Sequence, residues 1–302
     1  MKKQIGFMGL GRMGENMVLN LLDKKYKVTI YNRSPEPVKK LSKKKNAIAS
    51  YDLEEFVRKI PKPRVVWIMI TAGKAIDSVI DKLTSLLSKG DTIIEGGNSF
   101  YEDSIKRYKK LKKKGINFLD VGVSGGIEGA RNGACIMVGG DKKIFKKNEN
   151  LFKDLTVKEG YGYMGISGAG HFVKGIHNGI EYGMMGALNE GFEAIKSEVK
   201  RFGTDLKEVA KVYDNGSIIK GRLTHWIWES FQKPKYLDEI SCQVPQGETE
   251  KEMKVLEKKY KMSILRAARV MRVHTRTKGV CGQIISTLRN KFGGHKFKKN
   301  DI

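Results

Sequence analysis

Four polar side chains interrupt a segment that is otherwise small and apolar, and their spacing places them on one face of a helix. They are Lys174, His177, Asn178 and Glu181, at positions i, i+3, i+4 and i+7. At roughly 1.5 Å per residue, Lys174 and Glu181 lie about 10 Å apart along such a helix, too far for a simple ion pair. The two ends of the stripe could instead bracket a small molecule.

The alternative is a solvent-facing stripe on a half-buried helix. Gly175, Gly179 and Gly183 each weaken a helix by about 1 kcal/mol relative to alanine, which indicates close packing against other backbone. A solvated face also rarely combines one Lys, one His, one Asn and one Glu. A lysine in an apolar cleft loses hydration, which favours its neutral form and makes Lys174 a candidate general base.

A glycine-rich turn follows the first predicted strand and opens the first predicted helix. It consists of Gly9, Leu10, Gly11, Arg12, Met13 and Gly14. In a dinucleotide-binding turn of this spacing, the first glycine makes the turn, the second lets backbone approach the pyrophosphate, and the third lets helix pack on strand. The helix N-terminus then offers N–H groups to the phosphates. A tight turn without a ligand is the alternative, but a second predicted strand at residue 27 favours a dinucleotide site.

The end of that second strand bears on the identity of the dinucleotide. NAD-dependent enzymes usually place an Asp or Glu there to bind the ribose 2′-hydroxyl. This chain has Asn32, Arg33 and Ser34 instead, three groups able to donate to a 2′-phosphate. The segment favours NADP, while a polar turn with a chance arginine, and hence NAD, remains the alternative.

Short apolar runs alternate with amphipathic helical stretches in the first half of the chain, which indicates a parallel sheet with crossover helices. The predicted strands are residues 5–10, 27–31, 64–70, 91–95, 117–121 and 134–138. The predicted helices between them are residues 12–24, 37–45, 53–59, 74–87 and 102–114. Later segments show only helical periodicity, at residues 170–194, 206–213, 217–231, 250–277 and 283–291. We expect an α/β Rossmann-type doubly wound sheet over residues 1–165 and an all-α domain over residues 166–302.

The charge of the chain is strongly positive. It carries 58 Lys and Arg residues against 33 Asp and Glu, a formal charge of +25. This excess favours anionic partners, which include nucleic acid, a membrane surface and a phosphorylated small molecule. Residues 258–300 hold thirteen Lys and Arg residues and no acidic residue. They offer only Tyr260, Phe292 and Phe297 for base stacking and no groove-reading motif, which argues against a nucleic-acid partner.

Several classes of protein are disfavoured by simple counts. Cys135, Cys242 and Cys281 are odd in number and widely spaced, so we expect neither a disulfide framework nor a paired zinc site. No run approaches the ~20 apolar residues of a transmembrane helix, and the first residues do not resemble a signal peptide. We expect a soluble cytoplasmic protein that uses no metal.

Five segments together resemble the decarboxylating 6-phosphogluconate dehydrogenases, a branch of the β-hydroxyacid dehydrogenases, and in length their short-chain type. They are the glycine turn with residues 32–34, Gly-Gly-Asn-Ser at 96–99, Val-Ser-Gly-Gly-Ile-Glu-Gly-Ala at 123–130, the segment 168–182 and a tail at 288–295. Related 3-hydroxyisobutyrate dehydrogenases share the turn, a Ser-Gly-Gly loop and the lysine, but not the His-Asn-Gly-x-Glu-Tyr run at 177–182.

The resemblance implies oxidation of 6-phospho-D-gluconate followed by decarboxylation, with NADP as cofactor. Lys174 would take the proton of the 3-hydroxyl and stabilise the oxyanion that forms as CO2 leaves. Glu181 would then protonate C1 to give D-ribulose 5-phosphate. The substrate would be held by Asn98, Ser124, Gly125, Gly126, His177, Asn178 and, at the phosphate, Tyr182. The cofactor would be lined by the six turn residues, Asn32, Arg33, Ser34, Ile70, Thr71, Ala72 and Asn98.

The tail carries a further implication. Arg289 and His295 match the family's tail arginine and histidine, which bind substrate in a neighbouring subunit. The resemblance therefore implies a homodimer or higher homo-oligomer with exchanged tails. A basic tail that fastens to its own surface is the alternative.

One segment departs from the family pattern. Where the family has Gly-x-Gly-Lys/Arg-Trp-Thr, with a basic residue for the phosphate, residues 243–250 read Gln-Val-Pro-Gln-Gly-Glu-Thr-Glu. Arg266 or Arg269 could be the family's other phosphate arginine, and the sequence does not choose between them. The alternative substrates are therefore a 3-hydroxyisobutyrate-like acid or an unphosphorylated sugar acid. A cofactor-binding protein without catalysis conflicts with the intact lysine–glutamate stripe.

Overall fold

The structure is a computed structural model that describes residues 3–297. Its contacts divide the chain into two units, Met1–Gly175 and Ile176–Ile302, whereas the sequence suggested a boundary at residue 165. The division falls inside a long helix, α8 (Ala169–Ser197), because the first turn of this helix packs against the sheet of the first unit.

The continuous apolar runs of the first unit become the buried centre of one sheet. Within the described residues its strands are β1 (Gln4–Met8), β2 (Lys27–Tyr31), β3 (Ala47–Ala49), β4 (Val65–Ile68), β5 (Thr92–Glu95), β6 (Asn117–Ser124), β7 (Ala134–Gly140) and β8 (Thr156–Gly165). Their order is β3-β2-β1-β4-β5-β6-β7-β8. Strands β1 to β6 pair in parallel, in the order of a doubly wound nucleotide-binding sheet, which confirms the predicted fold class.

The far edge of the sheet differs from the prediction of a parallel sheet. β7 runs antiparallel to β6, with Ser124 opposite Cys135, because residues 125–133 are too short a connection to cross the sheet. β8 then pairs with β7 in parallel. The sequence did not indicate β8, since this partly exposed edge strand mixes glycines with charged residues and lacks an apolar run.

Helices cover both faces of this sheet because each carries one apolar stripe. In α4, for example, Ile76, Ile80 and Leu83 are buried at positions i, i+4 and i+7. The helices before α8 are α1 (Arg12–Asp23), α2 (Pro35–Leu41), α3 (Leu53–Arg58), α4 (Lys74–Leu86), α5 (Tyr101–Lys112), α6 (Gly126–Asn132) and α7 (Lys142–Leu155). The last two were not indicated by the sequence.

The second unit is helical, as predicted. After α8 it contains α9 (Val199–Phe202), α10 (Leu206–Asp214), α11 (Arg222–Phe231), α12 (Glu250–Lys259), α13 (Ser263–Thr277) and α14 (Gln283–Gly293). The single helix predicted over residues 250–277 is broken into α12 and α13, because Lys261 adopts a left-handed backbone with φ 52°. The core of the unit is formed by buried residues that include Phe192, Ile227, Ile285 and Leu288.

The sequence predicted no disulfide framework, but a disulfide bond is present in this structure. The sulfur atoms of Cys242 and Cys281, 39 residues apart in sequence, are bonded to each other. The fold brings the two cysteines together where the N–H of Gly282 donates to the carbonyl of Cys242. Spacing along the sequence carried no sign of this pair, because tertiary packing alone makes the two segments neighbours.

Candidate functional site

The glycine turn forms a tight cradle at the end of β1. A Cβ atom on Gly14 would lie 1.9 Å from the carbonyl oxygen of Gly9, and one on Gly9, where φ is +95°, would lie 2.2 Å from that of Met69. A Cβ atom on Gly11 would meet no atom within 4 Å. The first and third glycines therefore permit close packing, and the second leaves open space before α1, whose N-cap makes no side-chain hydrogen bond. These features fit a dinucleotide pyrophosphate.

Asn32 braces this turn. Its Oδ1 atom accepts a hydrogen bond from the N–H of Leu10 at 3.0 Å, and its Nδ2 atom donates to the carbonyl of Ser34 at 3.0 Å. Arg33 and Ser34 are exposed beside it, as is Arg12 at the start of α1. Asn32 thus holds the turn, and Arg33 is an exposed cation beside it.

The loops after β4 and β5 lie next to the same turn. A Cβ atom on Gly9 would lie 2.7 Å from Cγ2 of Ile70, and one on Gly97 would lie 2.8 Å from the carbonyl oxygen of Ile70. Thr71 and Asn98 are exposed and Ala72 is half-buried. The carboxyl ends of adjacent parallel strands meet at one edge, so the first unit brings most of the predicted cofactor residues together.

Strand β6 sets the position of Lys174. Asp120, which is fully buried, accepts hydrogen bonds from the N–H groups of Gly168 and His171 at 2.7 and 3.0 Å and so caps the first turn of α8. A Cβ atom on Gly122 would lie 2.3 Å from Cβ of Lys174, so the aliphatic stem of the lysine rests on bare backbone. Lys174 is only 8% exposed. The strand then ends at Ser124.

The Ser124–Gly126 turn needs glycine. Gly125 and Gly126 have φ values of +114° and +64°, which side-chain-bearing residues rarely adopt. Gly125 is the N-cap of α6 and is exposed, while Ser124 and Gly126 are half-buried. The backbone of this turn can therefore approach a bound acid closely, as the sequence suggested.

The rest of the polar stripe lies on the part of α8 that belongs to the second unit. His177, Asn178 and Glu181 are half-buried. The Nδ1 atom of His177 lies 3.3 Å from Oδ1 of Asn178 and 3.9 Å from Oε2 of Glu181. The helix is less enclosed than its composition suggested, since Ile180 is 57% exposed and Met184 is 52% exposed.

Two buried arginines flank the buried ring of Tyr182. The guanidinium of Arg272 lies 3.3 Å from the centre of that ring, and burial lowers the pKa of Arg272 to about 10. The Nε atom of Arg272 is buried without a hydrogen-bond partner. A Cβ atom on Gly247 would lie 3.1 Å from Oη of Tyr182 and 3.7 Å from Nη2 of Arg289, a second buried arginine whose pKa is also lowered by burial. Burying two neighbouring cations costs free energy, and a bound anion would reduce this cost. The cluster therefore suits an anion.

Arg272 was not among the sequence-based candidates. Arg266 is exposed, and Arg269 makes two 2.7 Å hydrogen bonds to the carboxylate of Glu257. Arg272 lies one turn further along α13, on the face that it shares with the buried Leu265 and Ala268. An arginine in register with buried apolar residues was the signal that could have identified it.

Residues 243–250 run across the helices that carry these arginines. The N–H of Val244 donates to Oγ1 of Thr275, and Arg276 donates to the carbonyl of Val244 at 3.0 Å and to Glu250 at 2.7 Å. Arg289 donates to the carbonyl of Pro245. The segment itself contributes no cation, and Glu248 is exposed. The positive charge at Tyr182 is therefore supplied by α13 and α14.

Within this single chain, the helix that carries Arg289 packs in its own unit, and exchange of the tail between subunits stays a prediction. Ile284, Ile285 and Leu288 form an apolar face of α14 that packs into the core of its own unit, so Arg289 meets Tyr182 of the same chain. The ring of His295 folds back on Phe292 and Gly293. Lys298, Lys299 and Asn300, the last residues of the basic segment 258–300, lie outside the described residues.

None of the helices within residues 3–297 combines the length and the apolar character needed to cross a membrane. Nor do three or more His, Cys, Asp or Glu residues of this part of the chain come together as a possible metal site.

Known proteins resemble both the sequence and the fold. Residues 4–165 match the NAD binding domain of 6-phosphogluconate dehydrogenase. The Bacillus subtilis protein named "Putative 6-phosphogluconate dehydrogenase YqeC" is 40% identical over 98% of this chain and 99% of its own length. The decarboxylating 6-phosphogluconate dehydrogenase of Bacillus licheniformis is 38% identical over 81% of this chain, but over only 50% of its own length. The chain thus spans about half the length of this relative and of other curated 6-phosphogluconate dehydrogenases that it matches.

Solved structures give the same picture. Plasmodium falciparum 6-phosphogluconate dehydrogenase superposes with a TM-score of 0.80 at 30% identity, over 91% of this chain and 63% of that one. Mycobacterium tuberculosis 3-hydroxyisobutyrate dehydrogenase has a TM-score of 0.70 at 17% identity, over 96% and 99% of the two chains, which is a likeness of fold. The chain belongs to the 6-phosphogluconate dehydrogenase family, as its motifs indicated.

Proposed function

We propose that the protein catalyses the oxidative decarboxylation of 6-phospho-D-gluconate to D-ribulose 5-phosphate and CO2, with reduction of NADP. The observation that carries this proposal is the pair of buried arginines, Arg272 and Arg289, beside Tyr182. Two cations held in a dry environment suit the dianionic phosphate of such a substrate. A short unphosphorylated acid would bring no phosphate to these two cations.

Support for NADP comes from the turn at β2. The 2′-phosphate of NADP needs a cation where an NAD-dependent enzyme usually has a carboxylate. Arg33 is exposed there, and Asn32 is already engaged by Leu10 and Ser34. The alternative, NAD, predicts similar kcat/KM values for both cofactors or a preference for NAD. An Arg33→Ala variant should lose affinity for NADP while its affinity for NAD stays the same.

The chemistry would start at Lys174. The bound nicotinamide supplies the acceptor for the hydride that leaves C3 of the substrate. In its neutral form, Lys174 would take the proton of the 3-hydroxyl as this oxidation occurs. The resulting 3-keto acid loses CO2 because its carbonyl accepts the electron pair, and protonated Lys174 stabilises the developing oxyanion.

Glu181 would complete the reaction. It lies two helical turns beyond Lys174 on α8 and would donate a proton to C1 of the enediol that remains after CO2 has left. Asn98, the Ser124–Gly126 turn, His177 and Asn178 would hold the hydroxyl and carboxylate groups of the sugar acid. Tyr182, Arg272 and Arg289 would hold the phosphate, and no step calls for a metal.

The proposal is tested by comparing substrates. NADPH formation and CO2 release would be followed with 6-phosphogluconate, gluconate and 3-hydroxyisobutyrate. We expect turnover with 6-phosphogluconate and a kcat/KM lower by about 100-fold or more for gluconate, since the phosphate contacts are charge-assisted. Turnover of an unphosphorylated acid alone would favour the second candidate, a dehydrogenase of another hydroxyacid, which the absence of a cation in residues 243–250 leaves open.

We further propose that the protein acts as a homodimer or a higher homo-oligomer. Ile180, Met184 and Ile264 form an exposed apolar patch on α8 and α13, and a Cβ atom on Gly183 would lie 2.9 Å from Ile264. Contiguous exposed apolar side chains of this kind are typical of subunit interfaces. Because Arg289 is already at Tyr182 within one chain, this assembly does not require exchanged arginines.

A further inference from the structure

A buried polar cluster lies in the first unit between the end of β5 and the first turn of α8. Its members are Glu95, Ser99, Ser104, Arg107 and His171, which are between 0 and 8% exposed. Polar groups are kept at such depth only when hydrogen bonds offset the loss of hydration. None of these five residues has a role in the chemistry proposed above.

One side of the cluster fixes the loop that carries Asn98. The Oε1 atom of Glu95 accepts a hydrogen bond from the N–H of Gly97 at 2.9 Å. The Nη1 atom of Arg107 donates to Oγ of Ser99 at 3.0 Å and lies 3.4 Å from Oε2 of Glu95. The residues on both sides of Asn98 are therefore tied to one buried ion pair.

The other side of the cluster fixes the first turn of α8. The Nδ1 atom of His171 lies 2.7 Å from Oγ of Ser104 and 3.6 Å from Oε2 of Glu95. The backbone N–H of His171 donates to Asp120, the cap of the same helix. Since His171 precedes Lys174 by three residues, the two side chains lie on the same face, one turn apart.

The members of the cluster differ in what can be learned from replacing them. Removing Glu95 or Arg107 would strand a buried charge, which typically destabilises the whole fold. His171 can be replaced without removing either member of that ion pair. The Nδ1 atom of His171 shares a hydrogen bond with Ser104, and its Nε2 atom is buried without a hydrogen-bond partner.

We propose that His171 is a positioning residue that fixes Lys174 relative to Asn98, through Ser104 and Glu95. The inference rests on the proposed function, since it takes Lys174 as the base and Asn98 as a substrate and cofactor contact. A misplacement of a catalytic group by about 1 Å can cost about 100-fold in rate. The side chain of His171 therefore acts on kcat without touching a ligand.

The test compares His171→Leu with His171→Asn, in which the amide can occupy the place of Nδ1. The kcat of each protein would be calculated per NADP-binding site, so that a smaller folded fraction does not lower the measured kcat. We expect kcat to fall about 10-fold or more in His171→Leu, with the Kd of NADP within about two-fold of wild type. His171→Asn should recover most of the loss. Equal kcat values for wild type and His171→Leu would overturn the proposal, as would equal losses in both variants.

If His171→Leu does not fold, a second variant tests the same contact. Ser104→Ala removes only the hydroxyl that meets Nδ1, and Ser104 is fully buried in the cluster. We expect kcat to fall by about five-fold while the Kd of NADP is unchanged. An unaltered kcat in Ser104→Ala contradicts the role of this contact.

A readout that needs no substrate separates this inference from the proposed function. The rate at which an amine-specific reagent labels Lys174 would be measured by mass spectrometry in wild type, His171→Leu and His171→Asn. If wild type oxidised none of the three acids, the proposed function would fail. A labelling rate altered in His171→Leu and restored in His171→Asn would still support positioning, and an identical rate in all three proteins would refute it.

Discussion

The position of Lys174 depends on the absence of a side chain at Gly122. A Cβ atom at Gly122 would lie 2.3 Å from Cβ and 2.9 Å from Cγ of Lys174, which is closer than packed carbon atoms can approach. Strand and helix meet here through bare backbone. The lysine is thus located by a glycine on a neighbouring strand as much as by its own helix.

The variant Gly122→Ala should therefore impair catalysis. Either α8 or β6 must shift to admit the methyl group, and we expect kcat to fall about 100-fold with NADP binding retained. Gly191→Ala in α8 is the matched control, because a Cβ atom there meets nothing within 4 Å. Steady-state kinetics of the two variants would settle the point, and equal activities would contradict it.

Replacement of Lys174 tests the proposed base. Lys174→Ala should abolish turnover, with a loss of about 1,000-fold or more, because both proton transfer and oxyanion stabilisation are removed. NADP should still bind, as measured by fluorescence quenching, since the glycine cradle is untouched. Retention of even about a tenth of the activity would show that another group is the base.

Replacement of Arg272 tests the phosphate contacts. Arg272→Met should raise the KM for 6-phosphogluconate about 100-fold, because one of the two buried cations at Tyr182 is lost. Any residual turnover of gluconate should be unaffected. Arg266→Ala removes an exposed arginine of the same helix and should leave KM within about two-fold. Equal KM values for both variants would exclude Arg272 from phosphate recognition.

The disulfide should stabilise the segment that contacts Arg289 and Tyr182. The double variant Cys242→Ser/Cys281→Ser should lower the free energy of unfolding by about 2–4 kcal/mol in urea titrations, because the bond closes a long loop. It should also raise the KM for the phosphorylated substrate. The exposed, unbonded Cys135 provides the control variant Cys135→Ser, and wild type treated with a dithiol should match the double variant. A double variant as stable as Cys135→Ser would show that the bond contributes nothing.

The apolar patch on α8 and α13 should hold subunits together. Met184→Glu places a charge among Ile180 and Ile264, and we expect sedimentation velocity to show monomers at concentrations where wild type associates. Ile218→Glu is the control, since Ile218 is fully exposed outside this patch. A monomeric wild type would refute the proposed oligomer. A dimeric Met184→Glu variant would show that the interface lies elsewhere.

Local features were predictable and long-range pairings were not. Residues close together in sequence determine the glycine turn, the stripe on α8 and the alternation of strands and helices. The fold that these features predicted is confirmed. The bond between Cys242 and Cys281, the approach of Arg272 to Tyr182 and the reversal at β7 each depend on how distant segments pack. The register of Arg272 on α13 could have indicated that it is buried, but a single sequence has no local signature for the distant residue that it contacts.

Residues 258–300, which contain no acidic residue, illustrate the same limit. Arg269, Arg276 and Lys291 pair with carboxylates that precede residue 258 in the sequence, and Arg272 and Arg289 are buried. Counting charges along the sequence suggested a polyanion-binding surface, but the described part of this end directs most of its arginines inward. Its composition is therefore a weak argument for nucleic acid.

Two neighbouring residues, Asn32 and Arg33, divide the support of the glycine turn from the proposed contact with the ribose. The amide of Asn32 keeps the glycine turn in shape, whereas the exposed Arg33 is the residue proposed to face the ribose. If Arg33 selects NADP as proposed, substitution at residue 33 would change the cofactor preference and leave the pyrophosphate cradle intact. A design that exchanges NADP for NAD would accordingly keep Asn32 and vary Arg33.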